Sequence, residues 1–127
     1  MAVEKCPFCN VADIQVIAAS NRAIAIADSF PISQGHSLVI PKRHVSSIFE
    51  MTTHEQTEVW TFVAAVRQLL SQKFSPAGFN IGLNDGGDAG QTIEHAHIHV
   101  IPRYPGDIED PRGGIRWVLP ARAKYWD

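Results

Sequence analysis

The segment HAHIHV, which begins at His95, constrains this chain most, because it places three histidines at alternate positions. In a β-strand, a period of two sends His95, His97 and His99 out of one face of the sheet, while Ala96 and Ile98 point to the other face. Three aligned imidazoles can ligate a metal, relay protons or include a nucleophile. Three core histidines are a poorer explanation, because each buried polar group left unpaired costs about 1–3 kcal/mol.

Size and charge limit the class of protein. The 127 residues, 45% of them apolar, are enough for one globular domain over 1–127. A formal net charge of −2 gives no global attraction to nucleic acid or to an anionic membrane, so we expect neither as a partner. The sequence has no apolar run long enough to cross a bilayer and no secretory signal pattern, which predicts a cytoplasmic protein.

The most regular predicted element is a long helix that begins near Thr52. Thr52 and Thr53, each followed three places later by Glu55 or Gln56, are capping-box signals. Pro76 ends the helix. Its apolar face has the spacing of three and four that one side of a helix requires, and comprises Val59, Phe62, Val63, Val66, Leu69 and Leu70.

Four short segments have the composition and alternation of strands, namely 22–30, 36–41, 78–84 and 95–102. The segment 78–84 has one apolar face and one polar face of little bulk, and its Asn84 shares a side with the histidines if the last two strands pair. The tail 104–127 has no clear periodicity until IRWVLP near its end. These elements predict an α+β fold.

The loop DGGDAGQ lies directly before the histidines and contains donors for an anion. Gly86, Gly87 and Gly90 allow backbone N–H groups to approach an anion closely, and Gln91 and Thr92 add side-chain donors. Alone, such a loop is more often a solvated hairpin turn. Beside three aligned histidines it predicts phosphate binding. No acidic residue directly follows the histidines, so the metal-hydrolase pattern of histidines plus aspartate is missing.

The segment QTIEHAHIHVIPR at 91–103 matches the motif His-φ-His-φ-His-φ-φ, in which φ is apolar, although Ala96 is a mild departure. On this basis the chain resembles the histidine triad (HIT) nucleotide-binding superfamily, and in particular bacterial HIT hydrolases. The resemblance extends to 27–44 and 84–91, and is weakest past Tyr104. It implies a homodimer of α+β domains, each with an antiparallel sheet of about five strands, one long helix and a short helix.

The resemblance also implies an activity. Family members hydrolyse or transfer nucleotides at the α-phosphate of adenylated or dinucleoside polyphosphate substrates, with purines favoured, through a covalent nucleotidyl-histidine. His97 would be the nucleophile, His99 would contact the phosphate or the leaving group, and Asp28 would hold the ribose hydroxyls. His36 would lie beneath the site. The matching phosphate loop comprises Asn84, Gly90, Gln91 and Thr92. A non-catalytic nucleotide-binding or scaffolding module is the alternative, which the retained nucleophile disfavours.

Cys6 and Cys9 form the motif CPFC near the N-terminus. A redox pair is disfavoured, because the motif does not open a helix that would lower a thiol pKa. Two unconnected surface thiols are a further alternative. Similar sites in some bacterial relatives and in galactose-1-phosphate uridylyltransferases imply zinc, with His44 and His95 as the other ligands. A closed four-ligand shell would make the zinc structural and the segment 1–12 a zinc knuckle.

Three side chains of the tail are possible contacts for a leaving group or a partner subunit: Arg112, Arg116 and Trp117. A tail 104–127 that packs on its own domain is an equal alternative.

Overall fold

The structure is a computed structural model that describes residues 3–127, so the first two residues of the predicted knuckle segment lie outside the described residues. Five strands form one antiparallel sheet in the order β1-β2-β3-β5-β4. The strands are β1 (Val16–Ala19), β2 (Ala23–Ala27), β3 (Ser37–Pro41), β4 (Gly78–Gly82) and β5 (Ile98–Arg103). The helices are α1 (Thr53–Phe74) and α2 (Pro120–Ala123). The predicted α+β fold is confirmed.

Helix α1 begins and ends where local chemistry dictates. The Thr52 hydroxyl accepts a hydrogen bond from the Glu55 N–H at 3.1 Å, and the Glu55 carboxylate accepts one from the Thr52 N–H at 3.0 Å. This capping box satisfies two N–H groups that the first turn leaves free, and the Thr52 N–H is the main cause of the lowered pKa of Glu55. Ser75, with a φ of 50°, ends the helix just before Pro76.

The helix covers one face of the sheet and builds the main core. Its buried face consists of Val59, Phe62, Val63, Val66 and Leu70, with Leu69 only partly buried at the margin. These side chains pack with Val39 of β3 and with Ile98 and Val100 of β5. Leu38 and Ile40, which alternate with Val39, belong to a second apolar cluster with Ile26. The sheet is therefore apolar on both faces near its centre, and the second face is the one that carries the site.

The histidine segment is strand for only part of its predicted length, because β5 begins at Ile98. The last β3 residue that pairs with β5 is Val39, opposite Ile98. Beyond it, Pro41 has no N–H to continue the ladder, and its carbonyl is bound by the His95 side chain at 2.8 Å. One backbone hydrogen bond, from Ala96 N–H to the Val45 carbonyl at 2.7 Å, holds the extended segment there.

Strand β1 is absent from the sequence prediction. It has four residues, lies at the sheet edge and carries an irregularity between Val16 and Ala18, so its alternation is too short to detect. The tail after Arg103 forms a 3-10 helix at Gly114–Val118 and then α2. Among the helices of residues 3–127, none combines the length and hydropathy needed to span a membrane.

Candidate functional site

An open groove runs along the face of the sheet opposite α1. Ile26 of β2 and Leu38 of β3 are cross-strand partners, and Leu38 also pairs with His99 of β5. Because side chains two apart share a face, Asp28 and His36 project on the same side as this apolar pair. The groove-lining residues near the predicted site are Phe8, Ile26, Asp28, His36, Leu38, Asn84, Gly90, Thr92, His97 and His99.

His97 is held in a single tautomer by the backbone. Its Nδ1 lies 2.8 Å from the carbonyl oxygen of His95, and a carbonyl can only accept a hydrogen bond. The neutral ring therefore carries its proton on Nδ1 and has a free lone pair on Nε2. Because His97 lines the groove, this lone pair is available to a ligand bound there.

His99 is held in the opposite tautomer by a chain of hydrogen bonds through the buried side chain of His36. The Ile32 N–H donates to Nδ1 of His36 at 3.2 Å, so neutral His36 carries its proton on Nε2. That N–H lies 2.9 Å from Nδ1 of His99 and 3.3 Å from a carboxylate oxygen of Asp28. His99 thus accepts at Nδ1 and keeps its own proton on Nε2, where it can donate to a ligand.

Burial keeps these two rings neutral. It is the main reason why the pKa of His36 and the pKa of His99 are both lowered, although the Asp28 carboxylate acts in the opposite direction on both. The neighbouring rings of His97 and His36 lower the pKa of His99 further. Neutral rings at pH 7 support the tautomers that the hydrogen bonds assign.

Asp28 lies directly after β2 at the groove edge. One carboxylate oxygen accepts from the Phe30 N–H at 2.9 Å, and the other faces His36. These contacts fix the carboxylate while it still lines the groove. Asp28, His36 and His99 also converge closely enough to hold a cation. The 2.9 Å contact between the two imidazoles is a hydrogen bond, so we interpret this group as a polar chain and not as a metal site.

The glycine loop folds as a tight turn around a 3-10 segment at Gly87–Ala89. Gly86 and Gly90 both have a φ of 99°, a backbone conformation that residues other than glycine rarely adopt. A Cβ atom at Gly90 would lie 3.8 Å from the amide of Asn84, so the two residues meet at the groove. Thr92 lines the groove beside them.

Gln91 is the predicted phosphate contact that the structure places elsewhere. Its side-chain amide donates to the carbonyls of Ser46 at 2.8 Å and Ile93 at 3.0 Å, and its oxygen accepts from the Gly86 N–H at 2.9 Å. The amide is therefore committed to bracing the loop and lines a small acidic depression away from the histidines. A polar residue beside an anion-binding loop can contact the anion or can hydrogen-bond within the loop, and the sequence does not distinguish these two roles.

Four predicted metal ligands meet in one cluster, formed by Cys6, Cys9, His44 and His95 and called here the Cys2His2 cluster. Nδ1 of His95 lies 3.4 Å from the Cys6 sulfur, 3.5 Å from the Cys9 sulfur and 3.2 Å from Nδ1 of His44. Nδ1 of His44 lies 3.2 Å from the Cys9 sulfur.

These separations fit a tetrahedral ion. Zinc bonds of about 2.0–2.1 Å to nitrogen and about 2.3 Å to sulfur give ligand-to-ligand edges of roughly 3.3–3.8 Å. His95 also has the correct tautomer, since its Nε2 faces the Pro41 carbonyl at 2.8 Å and leaves a lone pair on Nδ1. Burial raises the pKa of the Cys6 thiol, so a bound cation would be needed to favour the thiolate. The residues therefore fit a metal ion.

The polar tail residues bond mainly within the tail. Arg112 pairs with Asp110 at 2.9 Å and stacks on Trp126, while the Trp117 indole N–H donates to the Arg112 carbonyl at 2.8 Å. Arg116 donates to the Ala123 carbonyl at 2.7 Å. Trp117 also lines the groove.

Sequence reasoning missed Phe8 and the Ile32 N–H. Phe8 lies inside the CPFC motif, so its position between two ligands was the available signal. No sequence signal indicates the role of the Ile32 backbone N–H.

Comparison with known proteins identifies the class. A family model of the HIT domain matches residues 10–106, which is most of the chain. The chain therefore belongs to the histidine triad (HIT) family. Bis(5'-nucleosyl)-tetraphosphatase [asymmetrical] from Schizosaccharomyces pombe is 41% identical over 96 residues, which are 76% of this chain and 53% of that protein. This chain thus spans about half the length of that relative.

Solved structures agree with this assignment. A HIT family protein from Bacillus anthracis superposes with a TM-score of 0.74 at 34% identity, over 84% of this chain and 78% of that chain. A zinc-bound histidine triad family protein from Mycobacterium smegmatis superposes with a TM-score of 0.67 at 34% identity, over 81% of this chain and 78% of that chain.

Proposed function

We propose that this protein is a nucleotide hydrolase or nucleotidyltransferase that acts at the α-phosphate of adenylated or dinucleoside polyphosphate substrates. The observation that carries the proposal is the hydrogen bond from Nδ1 of His97 to the His95 carbonyl, because it leaves the Nε2 lone pair free in the groove. The name of the yeast relative, a dinucleoside tetraphosphatase, supports this substrate class.

In the proposed first step, Nε2 of His97 forms a bond to the α-phosphorus, and the bond from phosphorus to the leaving oxygen breaks. The leaving group takes that electron pair and departs as an anion, while the Nε2–H of His99 donates a hydrogen bond to it. The nucleotidyl-histidine carries a positive charge on the imidazole, which the His95 carbonyl stabilises through the Nδ1–H.

In the second step, an acceptor attacks the phosphorus and the electron pair of the P–N bond returns to His97. With water as acceptor, its proton passes to solvent and the product is a nucleoside monophosphate. We assign ribose binding to Asp28 and phosphate binding to the loop around Asn84, Gly90 and Thr92, all of which line the groove. Gln91 supports that loop from behind.

We also propose a homodimer and a structural zinc ion. Strand β4 lies at one end of the sheet order, so one of its edges is open to a second copy of the chain. Residues 1–127 would form one domain, with the tail 104–127 on that domain or on its partner. The Cys2His2 cluster would hold zinc in a closed shell, as the zinc-bound relative suggests, and would supply no open position for catalysis.

The test is mass spectrometry of protein quenched during turnover of a dinucleoside tetraphosphate. We expect an adduct of one nucleoside monophosphate on His97, and we expect His97→Ala to lose turnover while binding AMP as before. Turnover by His97→Ala within tenfold of wild type would remove His97 from this role. Tight AMP binding with no adduct and no turnover would instead identify a nucleotide-binding module.

A further inference from the structure

Phe8 connects the Cys2His2 cluster to the groove. Its ring lies between the two cysteines in the chain and meets two histidines edge-on, with centroids 5.9 Å from His95 and 5.0 Å from His97. His95 belongs to the cluster, and His97 is the proposed nucleophile. One aromatic ring thus contacts a candidate metal ligand and the reacting residue at the same time.

The same ring packs on the apolar floor of the groove. Phe8 and Val11 pack against the buried cluster that includes Ile26 and Leu38. Ile26 and Leu38 lie two residues from Asp28 and His36 respectively, and therefore on the same sheet face as those polar groups. Phe8 is consequently part of the groove wall beside the nucleotide positions, and it lines the groove.

The segment that carries Phe8 depends on few contacts. Residues 3–12 contain no helix or strand. Asn10 braces the turn by donating to three backbone carbonyls, those of Val3 at 3.1 Å, Glu4 at 2.9 Å and Cys6 at 2.8 Å. These bonds close the turn on itself and do not attach it to the sheet. The Cys2His2 cluster and the ring of Phe8 attach the turn to the histidine segment that precedes β5, and Phe8 and Val11 pack on the sheet.

We propose that metal binding at the Cys2His2 cluster and nucleotide binding in the groove are thermodynamically coupled through Phe8, which acts as a positioning residue. The inference rests on the proposed nucleotide-binding function. When the ion holds Cys6 and Cys9 against His95, Phe8 is fixed over the groove floor and against His97. When the ion is absent, only apolar packing attaches the turn to the sheet, and part of the nucleotide binding energy is spent on ordering Phe8 again.

Such coupling must be reciprocal. If the metal raises the affinity for a nucleotide by some factor, the nucleotide raises the affinity for the metal by the same factor. We expect a factor of about tenfold, within the ordinary range for coupled sites. Substituting Phe8 should abolish the coupling between the two affinities without removing a ligand of the ion.

The experiment uses zinc and AMP as probes on three proteins: wild type, Phe8→Ala and the matched control Phe49→Ala. Phe49 is 60% exposed on the 3-10 helix Ile48–Glu50 and does not line the groove. Calorimetry gives the AMP dissociation constant of the zinc-loaded and zinc-depleted forms. Competition with a chromogenic chelator gives zinc retention with and without saturating AMP, and circular dichroism verifies that each form is folded.

We expect zinc depletion to weaken AMP binding about tenfold in wild type and Phe49→Ala, and less than twofold in Phe8→Ala. AMP should strengthen zinc retention by the same factor in the first two proteins only. If depleted protein unfolds, the chelator competition decides alone, because it starts from zinc-loaded protein.

Equal AMP affinity with and without zinc in wild type would overturn the inference, as would full coupling in Phe8→Ala. Zinc-loaded wild type that does not bind AMP would overturn the proposed function together with it. Protein that retains no zinc would overturn the inference alone.

Discussion

The chain from His36 to His99 makes a quantitative prediction. His36 is 4% exposed, and its Nε2–H lies 2.9 Å from Nδ1 of His99. In His36→Ala, His99 loses the donor that holds its proton on Nε2. The ring can then carry the proton on Nδ1 and turn a lone pair towards the leaving group, where a hydrogen-bond donor is needed.

The magnitude lies between two limits. A neutral hydrogen bond contributes about 0.5–1.5 kcal/mol net, whereas removing one donor from a developing oxyanion costs about 2.7–4 kcal/mol of transition-state stabilisation. Part of the His99 population retains the useful tautomer, so we expect His36→Ala to lower kcat about tenfold to a hundredfold. KM should change little, because the donor acts mainly as charge develops on the leaving oxygen.

The assay is single-turnover kinetics with a dinucleoside tetraphosphate for His36→Ala, His99→Ala and the double variant. We expect the losses to be strongly non-additive, because His36 acts through His99. His36→Gln should recover much of the rate, since a glutamine amide can still donate to Nδ1. Additive losses, or a kcat for His36→Ala within twofold of wild type, would refute the tautomer argument.

Three further predictions follow from the site. Asp28→Ala should weaken binding of AMP more than binding of its 2',3'-dideoxy analogue, and equal losses by calorimetry would contradict a ribose contact. Cys6→Ser with Cys9→Ser should melt at lower temperature yet keep much of its kcat at saturating substrate, whereas zinc-restored turnover without a change in folding would make the metal catalytic.

The third of these concerns pH. Burial lowers the pKa of His36 in the folded chain, so below about pH 6.5 the unfolded chain binds a proton that the folded chain resists. The free energy of unfolding of wild type, measured in urea, should therefore fall relative to that of His36→Gln as pH falls, by up to about 1.4 kcal/mol per pH unit. A difference in free energy of unfolding between the two proteins that does not change with pH would contradict this prediction.

Local signals predicted the elements that local chemistry determines. The capping box at Thr52 and the apolar face from Val59 to Leu70 need only neighbouring residues, and both are confirmed. The sequence predicts the start of β5 three residues early, because β5 begins at Ile98, where its ladder with β3 ends and beyond which Pro41 has no N–H to continue it. The sequence near His95 carries no trace of that distant proline.

In the candidate site, too, contacts between neighbouring residues can be predicted from the sequence, whereas contacts between distant residues cannot. Alternation in the sequence places His97 and His99 near one another, and their ring centroids are 5.4 Å apart. The Cys2His2 cluster joins residues 86 and 89 positions apart, so only the family resemblance could group them. The hydrogen bond from the Gln91 side chain to the Ser46 carbonyl joins residues 45 positions apart, so the local sequence does not indicate it.

The three histidines of the motif illustrate how one residue type supplies three chemistries. The Pro41 carbonyl accepts from Nε2 of His95 and leaves the Nδ1 lone pair free for the proposed metal ion. The His95 carbonyl accepts from Nδ1 of His97 and leaves the Nε2 lone pair free for the nucleophilic role proposed above. His99 instead receives a proton donor, the Nε2–H of His36, and therefore presents a donor of its own. Regular spacing brings the rings together, but the group that binds the far nitrogen of each ring decides what its near nitrogen can do.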